Sequence, residues 1–247
     1  MAPGVLWVSS RIVNPDKLST EKFCDWYENE HIQEVISLGG VPSGVRYQAL
    51  QPQPSSSSFS NKFPWLVTYE FPDITYRESE DFQNIAGKNP PSQELINTIY
   101  KNSAFAIRFY EEIQAVKGTT SSPTKFVISA ALQPPKDASS DADFDAWYRE
   151  EHLPVLSRAP GFVRSRRFKL AAASTLEDFT FGDAMETAPR YLALHEFSGE
   201  VLPWKELEES GQTEWAKKVM GGLIKEEVGL YEVKRVYSEE EWGSVGK

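Results

Sequence analysis

The chain has 247 residues, 40% hydrophobic and 13% aromatic, which is material for one large core or two modest ones. Asp and Glu outnumber Lys and Arg 36 to 26, a net charge of -10, and the charges alternate along the chain, so nucleic acid is not an expected partner. Cys24 is the single cysteine, which precludes an intramolecular disulfide or a thiolate metal cage and points to the cytoplasm. The segment from Met1 to Ser10 lacks a charged leader with an apolar run, and no segment approaches the roughly 20 apolar residues of a membrane helix, so neither signal nor membrane association is expected.

Val5 to Ile12 reads as a strand, rich in β-formers and ending near Asn14-Pro15. From Phe23 through Trp26, Tyr27, His31, Val35 and Leu38 the apolar positions fall three or four apart. That spacing predicts a helix, capped by Ser19 or Thr20 and stopped by Gly39-Gly40. Gly44 to Leu50 is a second strand, the Pro- and Ser-rich stretch from Gln51 to Ser58 a loop, and Trp65 to Phe71 a third strand. A looser helix follows Pro90-Pro91 through Leu95, Ile96 and Ile99, and Phe105 to Val116 is the fourth strand. The order βαββαβ is that of the ferredoxin-like unit.

The pattern then recurs. Phe23, Trp26, Tyr27, Glu30, His31, Gly40 and Arg46 reappear 121 positions later as Phe144, Trp147, Tyr148, Glu151, His152, Gly161 and Arg167. Trp65 to Phe71 matches Tyr191 to Phe197 at an offset of 126, so the second copy carries a longer central loop. The polar stretch 117–124 separates a first half, 1–116, from a second, 125–247. A four-stranded sheet with helices on one face must bury the other, and the second copy supplies the cover. The expected class is therefore α+β: two fused ferredoxin-like βαββαβ repeats forming a single-chain α/β barrel of the dimeric type. Such a monomeric pseudo-dimer needs no partner to complete its barrel, and further self-association is open to its outer surfaces.

The helix motif resembles that of the EthD-like branch of the dimeric α/β-barrel superfamily, in which Phe-x-x-Trp/Tyr-x-x-x-His-x-Pro precedes a Pro-Gly turn and a strand. Phe144, Trp147, Tyr148, His152, Pro154, Pro160 and Gly161 match it, whereas the first copy has Gln33, Gly39 and Val41 at the positions of Pro154, Pro160 and Phe162. The resemblance implies a small-molecule pocket between sheet and helices in each half. Relatives of this kind include cofactor-free cyclases, decarboxylases, dehydratases and monooxygenases acting on aromatic or polyketide-like molecules, and haem-using branches.

His152, Tyr148, His195 and His31 are the candidate catalytic residues. His152 lies four residues after Tyr148, so the two share a helix face, and an imidazole there can move a proton near neutral pH. His195 shares a strand face with Tyr191, Ala193 and Phe197; if that face looks at the helices, His152 and His195 enter one pocket. The competing reading makes all three histidines packing devices. Trp147, Tyr27, Arg167 and Arg46 are the candidate substrate-binding residues, the arginines as partners for a carboxylate, phenolate or enolate, or alternatively for the helix residues Glu151 and Glu30. Trp7, Trp26, Trp65, Trp204, Trp215 and Trp242 add core or pocket wall. Cys24 and His31 stand roughly 10 Å apart along the helix axis, too far for a dyad. The histidines lack ligand spacing, so no metal is expected, and there is no phosphate loop or nucleophile elbow.

These observations lead to a cofactor-independent enzyme using acid–base chemistry of the cyclase, decarboxylase or dehydratase type on a small apolar aromatic or polyketide-like molecule. A non-catalytic ligand-binding or stress-related barrel is the alternative, followed by a haem-associated barrel with His152 or His195 on iron. The second half, with its Pro-Gly turn, His195 and a lid from Leu170 to Arg190, is expected to hold the working pocket.

Overall fold

A computed structural model describes residues 2–85 and 90–238; Trp242 and the rest of the C-terminal segment lie outside the described residues. Strand β1 (Gly4–Ile12) leads to a helix in three parts: α1 (Thr20–Trp26), a π-helical turn over Tyr27–His31, and α2 (Ile32–Ile36). Of the two expected caps Ser19 serves, accepting from the Lys22 N–H. Then come β2 (Ser43–Ala49), α3 (Phe59–Lys62), β3 (Trp65–Phe71), α4 (Glu80–Gln83), α5 (Gln93–Thr98) and β4 (Ser103–Lys117). The remainder runs through β5 (Phe126–Gln133), α6 (Ala138–Trp147), a second π-helical turn over Tyr148–His152, α7 (Leu153–Leu156) and β6 (Phe162–Glu177). It ends with β7 (Thr180–Asp183), β8 (Tyr191–Phe197), α8 (Trp204–Ser210), α9 (Glu214–Gly221) and β9 (Lys225–Ser238).

The strands pair antiparallel in the order β4-β1-β3-β2-β9-β5-β8-β6, and β6 returns to β4, closing an eight-stranded barrel that leaves no free edge in the ring. Alternation along each strand divides the side chains between two environments. Trp7, Tyr47, Leu66, Tyr110, Phe168 and Tyr231 fill the barrel interior. Residues an odd number of positions away, such as Leu6, Val8, Val67 and Tyr69, face outward and pack against Phe23, Trp26 and Tyr27 of the helical layer.

The interior also holds ion pairs that cross between the first and second half of the chain. Arg166 on β6 donates from both terminal nitrogens to Glu70 on β3, at 2.7 and 2.8 Å. Arg108 on β4 pairs with Glu227 on β9 at 2.6 Å, its guanidinium lying 4.8 Å from the centre of the Trp7 ring. These arginines were not singled out in the sequence, because an inward charge on a strand looks the same as a solvated one until the barrel closes.

One local feature departs from the expected reading and a second, the Pro-Gly turn, follows it. The stretch from Leu170 to Arg190 is not a surface loop over the second half. Its first part extends β6, pairing with β4 as far as Ala104 opposite Glu177, and its middle turns back as β7. The second feature is the turn before β6, where Gly161 adopts φ +73° and an added Cβ would stand 2.9 Å from the Gly199 backbone nitrogen. Gly161→Ala should therefore cost about 1–3 kcal/mol, from left-handed strain and a contact with backbone that cannot swing away. The measurement is a thermal unfolding curve, and an unchanged midpoint would disprove the argument.

Candidate functional site

The π-helical turns are what assemble the aromatic–histidine motif. In an α-helix, residues five apart point roughly 140° away from one another. Here the Ile32 N–H bonds back to the Tyr27 carbonyl and the Leu153 N–H to that of Tyr148, spacing the ladder by five residues. The widened turn brings His31 under Trp26, with ring centres 5.2 Å apart and planes 16° from parallel. His152 stacks in the same way on Trp147 at 4.5 Å and 27°. Tyr27 and Tyr148, four residues before each histidine, meet it edge-on at 5.4 and 5.2 Å.

In the first half this motif borders a cavity of about 210 Å³ between the helical layer and the outward face of the sheet. Trp26, Tyr27 and His31 form one wall; Leu6, Tyr69 and Phe105 form the wall opposite. The rest is apolar or aromatic, with Tyr100 and Ser174 adding hydroxyls. Burial pushes Tyr27 up to about 12 and Tyr69 well above the usual phenol range, so both hydroxyls remain protonated donors. The Tyr69 hydroxyl is buried beside that of Tyr27. His31 keeps part of its surface and brings Nδ1 to 3.5 Å from Glu34 Oε2. The hydrogen bond from His31 lowers the Glu34 carboxyl, so the two form a charge-assisted pair when the imidazole is protonated. Apart from phenols, His31 is the one ionisable side chain among the described residues of the cavity wall.

The second half gathers its candidates differently. The strand face bearing His195 does look at the helices, and the His152 and His195 rings stand edge to face at 5.5 Å. Tyr148 lies parallel to His195 at 6.5 Å, and the Ser165 hydroxyl is 2.8 Å from His195 Nδ1. Burial, reinforced by the Arg167 charge, pulls His152 down to about 4 and His195 well below the usual histidine range. Both are neutral at pH 7 and hold no proton in excess to donate. His152 Nδ1, Trp147 Nε1 and Arg167 Nη2 are buried without partners among the described residues. A haem on either imidazole would have to displace Trp147 or Tyr148 from this packed layer.

Arg46 and Arg167 lie behind the motif. Arg46 stacks on Tyr27 at 5.2 Å and reaches Glu28; Arg167 stacks on Tyr148 at 4.2 Å and bonds to Asp145 and Gln114. The helix partners are thus Glu28 and Asp145 in place of Glu30 and Glu151, because the strand arginines rise beneath the earlier turn of each helix. Arg46 fastens helix to sheet and is not part of the cavity wall.

The structure therefore brings His31 and Tyr27 to a cavity, and His152, His195, Tyr148, Trp147 and Arg167 into a packed cluster. The cavity described here is in the first half, one of the two halves in which the resemblance implied a pocket. Tyr69 and Tyr100 are wall residues that the sequence reading did not single out, whereas Phe179 and Phe181 belong to the segment expected to cover a cavity and line that of the first half. The signal for Tyr69 was present: it occupies the strand position equivalent to His195. Among the described residues no three His, Cys, Asp or Glu side chains converge as metal ligands, and no helix is long and apolar enough to cross a membrane.

No protein-family model matches the chain, and no curated protein matches it by sequence. Solved structures do match. An anthrone oxidase-like protein aligns over 96% of this chain and 93% of its own at 14% identity, with a TM-score of 0.61. A candidate monooxygenase from Fusobacterium nucleatum aligns over 96% and 95% at 8% identity and 0.54. A chlorite dismutase from Candidatus Nitrospira defluvii aligns over 94% and 91% at 7% identity and 0.57. At these identities the likeness speaks to fold alone: the closed eight-stranded antiparallel barrel with its helical layer.

Proposed function

We propose that the chain is a cofactor-independent small-molecule enzyme that binds a compact apolar aromatic substrate in the first-half cavity and moves a proton with His31. The observation that carries this is the wall itself: aromatic on nearly every side, with a single imidazole and the buried hydroxyls of Tyr27 and Tyr69 side by side. His31 Nδ1 is given to Glu34, which leaves Nε2 as the nitrogen to meet the substrate. Nε2 would take a proton from an acidic carbon or phenol, Glu34 would stabilise the imidazolium, and Tyr69 would donate to the oxygen on which charge develops. The reaction class that follows such a step is of the cyclase, decarboxylase or dehydratase type. An oxidase or monooxygenase outcome, as the names of two neighbours suggest for those proteins, begins with the same deprotonation.

Within this reading the chain is a tandem fusion of two ferredoxin-like halves, 1–116 and 125–247, on the EthD-like branch, and works as a monomeric pseudo-dimer. The repeated motif at an offset of 121 and the repeated π-helical turns support the fusion.

The test isolates the proton step. 2-Tetralone, a compact enolisable aromatic ketone, exchanges its C1 hydrogens for deuterium in D₂O, and the protein should accelerate this above the buffer rate by NMR. His31→Ala should remove about 100-fold of the acceleration, whereas His152→Ala, compared at equal folded fraction, should retain most of it. Saturable binding without accelerated exchange would favour a binding protein. Loss confined to the His152 variant would return the site to the second half.

A further inference from the structure

The cavity is not built by the first half alone. Ser174 and Leu176 of β6, and Phe179 and Phe181 of the β6–β7 hairpin, complete its wall from the second half. β6 reaches there because it is 16 residues long, against 7 for β2, its equivalent in the first half. Arg11 on β1 pairs with Glu177 at 3.1 Å and fastens the hairpin base.

The hairpin turn is unusual in one respect. Glu177 pairs with Thr180, so Asp178 and Phe179 form a two-residue turn, and both have positive φ, 49° and 56°. Such a turn ordinarily carries Asn-Gly or Asp-Gly, because a bulky residue is strained in the left-handed region. Phe179 instead sets its ring against Tyr100, with centres 5.6 Å apart, at the cavity. Glycine would serve the backbone better, and its place is held by an aromatic ring that contributes cavity wall. Phe181 stands beside it in the wall and is 53% exposed.

We propose that Phe179 is a specificity-determining residue: the hairpin roofs the first-half cavity, and the Phe179 ring limits the length of the aromatic ligand admitted. This rests on the reading of the cavity as a ligand site. Phe179→Gly restores the preferred turn pair, and Phe179→Asn tolerates the same φ, so both variants keep the hairpin. Binding of 2-naphthol and of its three-ring homologue 2-anthrol to the full chain is measured by titration calorimetry, alongside melting temperatures. The wild type should favour 2-naphthol, and both variants should shift the affinity ratio at least tenfold toward 2-anthrol without a lower melting temperature. A raised melting temperature with an unchanged ratio would show Phe179 to be a turn residue only, overturning the proposal while leaving the cavity a ligand site. Failure of the wild type to bind either probe would overturn the ligand-site reading and this proposal together.

Discussion

Arg166→Met is expected to lower the stability of the folded chain by about 3–5 kcal/mol, the scale for removing one partner of a buried ion pair. The guanidinium is 5% exposed, bonded twice to Glu70, and within 3.6 Å of Glu196 and 4.0 Å of Glu112. Methionine fills comparable space but leaves the buried Glu196 facing Glu70 and Glu112, whose side chains are 28% and 22% exposed. Glu196 keeps Arg164 and the Thr124 hydroxyl, so Glu70 and Glu112 suffer most. Glu112 is already raised by burial, and without Arg166 beside it would rise further. The double variant Arg166→Met with Glu70→Gln should recover part of the loss, since one stranded charge is gone. Urea unfolding of the four members of the cycle measures this. A single-variant loss under 1 kcal/mol would mean that water reaches these carboxylates and the interior is not the low-dielectric place described.

How much of this was legible beforehand depended on the range of the interaction involved. Strand alternation and helix spacing are local, so β1, β3 and the helix bearing Trp26 and Tyr27 were readable within a residue or two, and the outward face of His195 followed from period two. The π-helical turn was not readable, because shifting the hydrogen-bond ladder by one residue over five positions leaves the apolar spacing of three or four intact. The β6–β7 hairpin was read as a loop because its turn, Asp178-Phe179, lacks the glycine that marks such turns. That the first-half layer would hold an open cavity was not legible for a longer-range reason. Motif matching weighs the residues present, whereas empty volume depends on how side chains from β1, β3, β4, β6 and the helices together fail to fill a layer. Trp147, Tyr148 and His152 matched the family pattern well and, with His195, fill their layer.

That filled layer has a consequence under acid. His152 is held at about 4 in the folded protein, against 6.5 in its ordinary state, and His195 is lowered as well. A lowered histidine pKa means that between those two values the unfolded chain binds a proton that the folded chain does not. Stability from this source is complete above pH 6.5 and declines as pH falls toward 4, where the folded ring also protonates. For His152 the shift corresponds to about 3 kcal/mol across the window, a substantial part of the roughly 5–15 kcal/mol of a typical domain. His195 acts in the same direction, though the second proton is opposed by the first because the rings stand 5.5 Å apart. Most carboxylates titrate below about pH 4.5, so the interval from 6.5 to 5 belongs chiefly to the histidines. Glu112, raised by burial, works against the trend. Urea midpoints at pH 7.5, 6.5, 5.5 and 5.0 should fall steadily, with uptake of one to two protons on unfolding. His195→Tyr places at β8 the residue that Tyr69 supplies at the equivalent position of β3, and should remove close to one proton from that uptake. A wild-type stability that stays level down to pH 5 would mean that the histidine pair opens to water at no cost, and that the second half is a looser layer than its ring contacts describe.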